Sequence, residues 1–260
     1  RQVDLMFGGG RCFFIPSHTA GSCRVDERDL VKESKKRGFK FFSTRKEFDN
    51  LDPEKDELPL LGLFTLENMS YEIDRDPAQE PSLKEMAEKA LKFLESATAN
   101  SDKGFFLMIE GSQIDVAGHA NDPAAQVHEI LTYHDTIALV KKYVDEHPGT
   151  ILISVSDHET GGLSLAHQAT SEYPDYLWYP EPITRVKNSS QVLSQLLVNY
   201  WSEDREEYIK GIIRSGLGIE DFDDYDISWL NGTHDQLEYE YFLSNMTNYR
   251  AQLGWATHGH

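Results

Sequence analysis

The sequence of 260 residues is poor in positive charge, with 25 Lys and Arg against 44 Asp and Glu and a formal net charge of −19. A surface of that sign repels nucleic-acid phosphates and anionic membranes, so we expect neither as a partner. No run of about 18 uncharged apolar residues occurs, so the sequence predicts no membrane-spanning segment. The start, RQVDLMFGGG, has neither an initial Met nor the layout of a signal peptide, which predicts an internal piece of a longer protein.

Cysteine is equally scarce, with Cys12 and Cys23 alone in the chain. N-x-Ser/Thr sequons are abundant by contrast, where chance placement would give roughly one. They begin at Asn68, Asn188, Asn231 and Asn245. This excess favours a glycosylated protein of the secretory lumen or the cell exterior, where a Cys12–Cys23 disulfide would persist. The alternative is that the sequons arose by chance and that both thiols are reduced and buried.

Strand and helix patterns alternate in the first part of the chain. LMFGGGR (5–11), FKFFST (39–44) and the apolar run after Glu57 predict strands, and DERDLVKESKKRG (26–38) predicts a helix that ends at a glycine. Ser82 and Glu85 have the spacing of a capping box, which predicts the start of a further helix. This alternation favours an α/β fold with a mostly parallel sheet.

A βαβ unit is the clearest pattern in the sequence. GFFLMIEG (104–111) and TILISVSDHETGG (150–162) are short apolar runs, which is typical of buried parallel strands. The segment 122–149 between them predicts a long amphipathic helix. Its predicted apolar stripe consists of Val127, Ile130, Leu131, Ile137, Val140 and Val144. Residues 166–253 have helix-like acidic stretches without a strong strand pattern, so we interpret them as an insertion.

Residues suited to metal binding follow the two predicted strands. Glu110 ends the first strand, and Asp157 and His158 end the second, so all three are expected at the same sheet edge. Asp115 and His119, spaced i and i+4, face one way if they lie on a helical turn. Mixed His and Asp ligands suit zinc, and carboxylates suit magnesium. Taken singly, such residues are more commonly solvated strand ends, turns or helix caps.

Long stretches of the chain resemble the alkaline phosphatases, most closely the fungal vacuolar, repressible type. The strongest are FFLMIEGSQIDVAGHANDP (105–123) and SDHETGGL (156–163). Weaker ones are MFGGGR (6–11), YEIDRDP (71–77), PSLKEMAEKAL (81–91) and GWATHGH (254–260). The resemblance implies a three-layer α/β/α sandwich, with residues 1–165 in the core, 166–253 as a crown-like insertion and 254–260 returning to the core.

The resemblance also implies two zinc ions and one magnesium ion as cofactors. The first zinc would be bound by Asp115, His119 and His260, and His258 is the alternative to His260. The second zinc would be bound by Asp157 and His158, and magnesium by Glu110. The implied reaction is hydrolysis of a phosphate monoester through a phosphoserine intermediate.

The family's nucleophilic serine and its phosphate-binding arginine belong to motifs that this sequence lacks. We therefore expect the activity to belong to a full-length protein, usually a homodimer in this family, and this chain alone to be inactive. Two alternatives are a phosphomutase or sulfatase-like enzyme of the same superfamily, and a luminal metal-binding glycoprotein without catalysis. The resemblance places the protein in the secretory lumen, in a vacuole or outside the cell.

Overall fold

The structure, a computed structural model, describes residues 3–168, 170–173 and 176–259. The chain divides into two units. The first takes in Arg1–Ser70, Arg75–Glu110 and Thr132–Leu152, and the second Tyr71–Asp74, Gly111–Leu131 and Ile153–His260.

A parallel sheet forms the centre of the first unit. Its strands are β1 (Leu5–Gly8), β2 (Lys40–Phe42) and β3 (Leu60–Leu63), in the order β1-β3-β2. Leu60 of β3 is in register with Leu5 on one side and with Lys40 on the other. All three strands were predicted from the sequence, and the structure confirms them. The central strand, β3, is buried along its whole length, as its apolar composition requires.

Aromatic side chains pack over the central strand. Phe7 lies edge-to-face against Phe48, with ring centroids 5.6 Å apart, and Phe48 lies in the same way against Phe64 at 5.5 Å. Gly62 has no room for a side chain, because a Cβ there would overlap the ring of Phe42. The absence of a side chain at this one position of β3 therefore allows the aromatic cluster to close over the sheet.

Three helices accompany this sheet, and each begins at a side-chain cap. They are α1 (Leu30–Lys36), α2 (Arg45–Asp49) and α3 (Leu83–Thr98), capped by Asp29, Thr44 and Ser82. The caps of α2 and α3 are full capping boxes, so the one predicted at Ser82 and Glu85 is confirmed. A short 3₁₀ turn, Arg11–Phe14, follows β1, and within it Cys12 forms a disulfide with Cys23.

The regular elements described in the second unit are helices and one antiparallel pair of two-residue strands. Its first helices are α4 (Gln113–His119) and the first part of α5 (Pro123–Glu146). Five more helices follow: α6 (Glu181–Arg185), α7 (Ser190–Val198), α8 (Arg205–Ile212), α9 (Asp224–Gly232) and α10 (Gln236–Ala251). A π-helical turn, Ile213–Leu217, continues α8. The strands β4 (Ser164–Leu165) and β5 (Leu253–Gly254) pair antiparallel.

The helix-like stretches predicted within residues 166–253 are confirmed by the helices that lie between Glu181 and Ala251. These helices enclose a core of their own, with Leu197, Ile209, Ile213, Leu230 and Leu243 all fully buried. The fold class, α/β with a parallel sheet and many helices, is confirmed as well. None of the described helices is long and apolar enough to cross a membrane. The division into 1–165, 166–253 and 254–260 stays a prediction.

The two strands of the predicted βαβ unit do not form. Segments 104–111 and 150–162 have no regular secondary structure, and Phe106 and Ile151 are 88% and 81% exposed. A strand exists only where a neighbour accepts its backbone hydrogen bonds, and neither segment is paired within the described residues. An apolar composition alone was therefore insufficient evidence for a strand.

The helix between these segments, α5, is confirmed, but its predicted apolar stripe is covered only in part. Val127, Ile130 and Leu131 are exposed and Ile137, Val140 and Val144 are half-buried, whereas Glu129 and Thr136 are buried. Glu129 is held by the backbone N–H of Glu72, which donates to its Oε1 at 2.5 Å. A fixed partner of this kind determines which face of the helix is covered, and the helical spacing does not reveal it.

The start of α3 depends on an ion pair, which gives a first testable prediction. Arg45 binds both carboxylate oxygens of Glu85, at 2.6 and 2.9 Å. Partial burial would raise the pKa of Glu85, but Arg45 and Ser82 outweigh it and lower the pKa from 4.5 to about 2. The contribution of the Glu85 carboxylate to the free energy of unfolding is therefore complete above pH 4.5 and is lost as the pH falls through about 2.

We expect Glu85→Gln to lower the free energy of unfolding by about 1 kcal/mol at pH 7, because the amide keeps the cap but loses the charge. The difference from wild type should shrink as the pH falls below 4.5 and vanish below about pH 2, where Glu85 is itself mostly neutral. Thermal unfolding across this pH range measures both effects. Glu88→Gln is the control, since Glu88 is exposed and bonded only to Lys92 on the same helix. An equal loss in both variants would contradict the assignment.

Candidate metal centre

Asp115 and His119 lie on one face of α4, as their spacing predicts. His119 Nε2 lies 3.2 Å from Asp115 Oδ2, and both side chains are about one-third exposed. The helix is short and its N-cap, Ser112, makes no side-chain cap bond. Its C-terminal end at His119 is instead held by later parts of the chain.

Asp157 and His158, in the second half of segment 150–162, are the other two residues of the cluster. His158 Nε2 lies 3.5 Å from Asp115 Oδ1 and 3.5 Å from Asp157 Oδ2. Its Nδ1 lies 2.6 Å from the backbone oxygen of Glu159, and a carbonyl only accepts, so Nδ1 carries a hydrogen. In neutral His158 the lone pair is therefore on Nε2, the nitrogen that faces the carboxylates.

Electrostatics favour the protonated form of His158 in the absence of a bound cation. The backbone oxygen of Glu159 makes the largest contribution, and Asp157 and Asp115 add to it, so the pKa of His158 lies above its ordinary value. A cation placed among these carboxylates would oppose that protonation. The negative charges that raise the pKa of His158 thus also favour a metal ion among the same carboxylates.

Two residues predicted to bind metal are not joined to this cluster by the described structure. Glu110 is exposed and belongs to the first unit, whereas Asp115, His119, Asp157 and His158 belong to the second. His260 lies outside the described residues. Across residues 3–168, 170–173 and 176–259, no three His, Cys, Asp or Glu side chains stand in the arrangement of a metal-ligand set.

The donor chemistry of the cluster nevertheless fits a metal ion. Two imidazoles and two carboxylates are the side chains that zinc prefers among nitrogen and oxygen donors. Nδ1 of His119 is buried and has no hydrogen-bond partner among the described residues. A buried polar atom without a partner is costly, and coordination of a cation is one way in which a histidine nitrogen is satisfied.

The segment 254–259 docks against the end of α4. The Gly259 N–H donates to the backbone oxygen of His119 at 2.9 Å, and those of Ala256 and Thr257 donate to the Gly161 oxygen at 2.8 and 3.1 Å. Gly161 has φ +81°, and a Cβ there would lie 2.8 Å from the Gly118 oxygen. The three segments that carry the motifs are thus brought together in the second unit.

Asn121 connects these segments and was not singled out from the sequence. Its side-chain amide donates to the backbone oxygens of Gly118, at 3.0 Å, and of Thr257, at 2.9 Å. Its Oδ1 lies 3.3 Å from His258 Nδ1, and the pKa of His258 is lowered by burial. Asn121 is 2% exposed and has φ +53°, a left-handed conformation that Asn tolerates. Its place in the GHAND stretch was the only available signal.

Thr160 is the second residue that sequence reasoning missed. Its hydroxyl donates to Asp115 Oδ1 at 2.5 Å, although 45 positions separate the two residues. It lies within the SDHETGG stretch, between the predicted ligands and the glycines. A hydroxyl has no ligand signature of its own there, so only the fold reveals its role.

The comparisons with known proteins agree with one another. The family model for alkaline phosphatase matches residues 1–260. The alkaline phosphatase of Schizosaccharomyces pombe is 42% identical over 263 residues, covering 100% of this chain and 49% of that protein. The repressible alkaline phosphatase of Saccharomyces cerevisiae is also 42% identical, over 281 residues, covering 100% and 50%. The chain therefore spans about half the length of these curated relatives.

A solved structure shows the same likeness. A cold-active alkaline phosphatase from a psychrophilic Shewanella superimposes with a TM-score of 0.75 at 25% sequence identity. The superposition covers 98% of this chain and 56% of that chain. The similarity therefore extends over nearly the whole of this chain.

Asn121 gives a second prediction. We expect Asn121→Ala to lower the free energy of unfolding by about 2 to 3 kcal/mol, because the backbone oxygens of Gly118 and Thr257 each lose a donor and alanine is strained at this φ. Amide hydrogen exchange should also quicken at Thr257 and Gly259. Asn199→Ala is the matched control, since exposed Asn199 donates only to Gln195 of its own helix, and a change of about 0.5 kcal/mol or less is expected. Unchanged exchange at 257–259 would refute the role of Asn121.

Proposed function

The chain belongs to the alkaline phosphatase family, and we propose on that basis that the full-length protein hydrolyses phosphate monoesters. The observation that supports this most is the cluster itself. His119 and His158 both approach the Asp115 carboxylate, within 3.2 and 3.5 Å, inside the two motif stretches that carry the family resemblance. The segments that carry the family resemblance are thus the same ones that bring together residue types suited to zinc.

The proposed ligands are assigned as the resemblance implies. Asp115, His119 and His260 would hold one zinc ion, Asp157 and His158 a second, and Glu110 a magnesium ion. A variant of the alkaline phosphatase of the bacterium TAB5, with 29% identity to this chain, was solved with Mg bound, which supports a divalent metal in this family. Cations bound there would act as Lewis acids, stabilising the negative charge that develops on the phosphoryl oxygens.

Charge explains why such a site needs cations. The chain has a net charge of −19, and Asp115 and Asp157 add two carboxylates close to His158. A phosphate monoester is itself an anion and would be repelled by this surface. Side chains that concentrate divalent cations reverse the local sign and let an anionic substrate approach.

The rest of the proposed reaction lies outside this chain. A serine would attack the phosphorus while the bond from phosphorus to the ester oxygen breaks, so that a phosphoserine forms and the alcohol leaves with the proton of the serine. Water would then hydrolyse the phosphoserine, which regenerates the serine and releases phosphate. The residues described here would hold the cations and orient them. We further propose that the protein acts as a homodimer in the secretory lumen, in a vacuole or outside the cell. The Cys12–Cys23 disulfide and the sequons support such an oxidising compartment.

The ligand assignment can be tested on the full-length protein. We expect His158→Ala to lower the bound zinc and to reduce hydrolysis of p-nitrophenyl phosphate by at least 100-fold, because the second site loses its imidazole. Metal content by mass spectrometry and steady-state kinetics measure the two effects. His18→Ala serves as the control, since His18 is exposed and paired only with Glu27 in the first unit.

Two results would count against the proposal in different ways. Full activity with unchanged zinc in His158→Ala would show that the assignment of His158 is wrong. Zinc binding by a wild-type protein that hydrolyses no phosphate monoester would instead favour the metal-binding glycoprotein without catalysis.

The sequons give a further prediction, because the structure separates them into two pairs. Asn68 and Asn231 are exposed and can accommodate a bulky glycan. Asn188 is half-buried, its amide donates to Asp74 at 3.3 Å, and Ser190 of the same sequon is buried. Asn245 is half-buried in α10, with Thr247 of its sequon buried as well.

We expect Asn68→Gln and Asn231→Gln each to remove one glycosidase-sensitive mobility shift of protein from the native host. Asn188→Gln and Asn245→Gln are the matched controls and should leave the mobility unchanged. Glycans found at Asn188 or Asn245 of the folded protein, or no glycan at any of the four positions, would contradict this expectation.

A further inference from the structure

We propose that Thr160 is a positioning residue that fixes the carboxylate of Asp115 for metal binding. Its hydroxyl occupies one oxygen of this carboxylate and leaves the other to the metal. The inference rests on the proposed function, because it takes Asp115 to be a ligand. It adds a residue that is neither a ligand nor part of the reacting groups.

The two oxygens of Asp115 have different surroundings. Oδ1 accepts the hydroxyl of Thr160 at 2.5 Å and lies 3.5 Å from His158 Nε2. Oδ2 lies 3.2 Å from Nε2 of His119, the other proposed ligand on α4. Oδ2 is therefore the oxygen on the side of His119, and a metal shared by Asp115 and His119 would meet it there.

The proton of the Thr160 hydroxyl has one acceptor in this arrangement. Thr160 Oγ1 also lies 3.4 Å from His158 Nδ1, but that nitrogen already carries a hydrogen that it donates to the Glu159 oxygen at 2.6 Å. A nitrogen with a hydrogen cannot accept from the hydroxyl. The hydroxyl therefore donates to the carboxylate, and a hydrogen bond to an ionised oxygen is of the stronger kind.

Thr160 is itself held from two sides. A Cβ on Gly118 would lie 3.0 Å from Thr160 Cβ and 3.1 Å from its Cγ2, so the methyl group packs on the bare backbone of α4. The next residue, Gly161, accepts backbone hydrogen bonds from Ala256 and Thr257. Because its backbone is fixed in this way, Thr160 presents its hydroxyl to Asp115 with little conformational freedom left to lose.

Without this hydroxyl, each oxygen of the Asp115 carboxylate is left with an imidazole neighbour, which is His158 for Oδ1 and His119 for Oδ2. Asp115 could then rotate about its side-chain bonds and turn Oδ1 or Oδ2 toward either His119 or His158. Groups that hydrogen-bond to a ligating carboxylate commonly alter metal affinity or activity by about 10- to 100-fold when they are removed. Thr160 is placed to have an effect of that kind.

The test separates the hydroxyl from the methyl group in the full-length protein. Thr160→Val keeps the shape and the methyl contact with Gly118 but removes the donor, and it should weaken zinc affinity by about 10- to 100-fold. Thr160→Ser keeps the donor and loses the methyl group, and it should recover most of the affinity. Zinc affinity is measured on the metal-free protein by competition with a chromophoric chelator, independently of activity.

A role in packing alone predicts the opposite order, with Thr160→Val close to wild type and Thr160→Ser impaired, and that outcome would overturn the inference. Steady-state kinetics at saturating zinc give a second readout. Because Thr160 does not touch the substrate, Thr160→Val should lower kcat more than it changes KM. Thr184→Val is the control for loss of a hydroxyl, because exposed Thr184 donates only to the Glu181 oxygen.

Failure of the inference is distinguishable from failure of the proposed function. A wild-type protein that neither binds zinc nor hydrolyses p-nitrophenyl phosphate would refute the proposed function. A wild-type protein that does both, with Thr160→Val equal to it in zinc affinity, would refute the role of Thr160 and leave the proposed function standing.

Discussion

The close approach of two backbones, at Gly118 and at Thr160–Gly161, is the constraint on which the arrangement of the second unit's cluster depends. A Cβ on Gly118 would press on Thr160, and a Cβ on Gly161 would press on the Gly118 oxygen. Because neither residue has a side chain, the loop after the second apolar run can lie directly on the end of α4. That contact is what places His158 beside Asp115, although the two are far apart in sequence.

The same contact gives the segment 254–259 its position. The Gly161 oxygen accepts from Ala256 and Thr257, while Asn121 donates to the Thr257 oxygen from the other side. Backbone hydrogen bonds of this kind fix a segment irrespective of its side chains. The position of His258, the one histidine of this segment, therefore depends on the contact between α4 and Gly161, which connects three segments that are distant in sequence.

Much of the fold could be predicted from the sequence where the interaction that decides the structure is visible as a local pattern or as a set of neighbouring strands. The capping box of α3 involves residues three positions apart, and the strand β3 pairs with β1 and β2 of the same unit. The i, i+4 pair Asp115 and His119 follows directly from helical geometry. In each case the sequence contained both partners of the interaction that decides the structure.

The failures share one physical cause. The runs 104–111 and 150–162 have the composition of buried strands. Composition gives only a tendency to form a strand, whereas a strand forms only when its backbone pairs with a neighbouring strand. Phe106 and Ile151 are exposed because no described strand covers them. Likewise, the spacing of α5 identifies an apolar stripe, but the hydrogen bond from Glu72 buries Glu129 instead. Burial depends on the partner, and a pattern in one segment does not contain its partner.

In the candidate metal centre, too, some residues could be predicted from the sequence and others could not. Candidate ligands are recognisable by type, because few side chains other than His, Asp, Glu and Cys bind zinc, so Asp115, His119, Asp157 and His158 could be proposed as ligands from spacing and resemblance. The residues that hold them in place have no such chemical signature. Thr160 and Asn121 act through one hydroxyl and one amide, groups that occur everywhere on protein surfaces. Their importance comes from distances of 2.5 to 3.0 Å to particular acceptors, and only the folded backbone creates those distances.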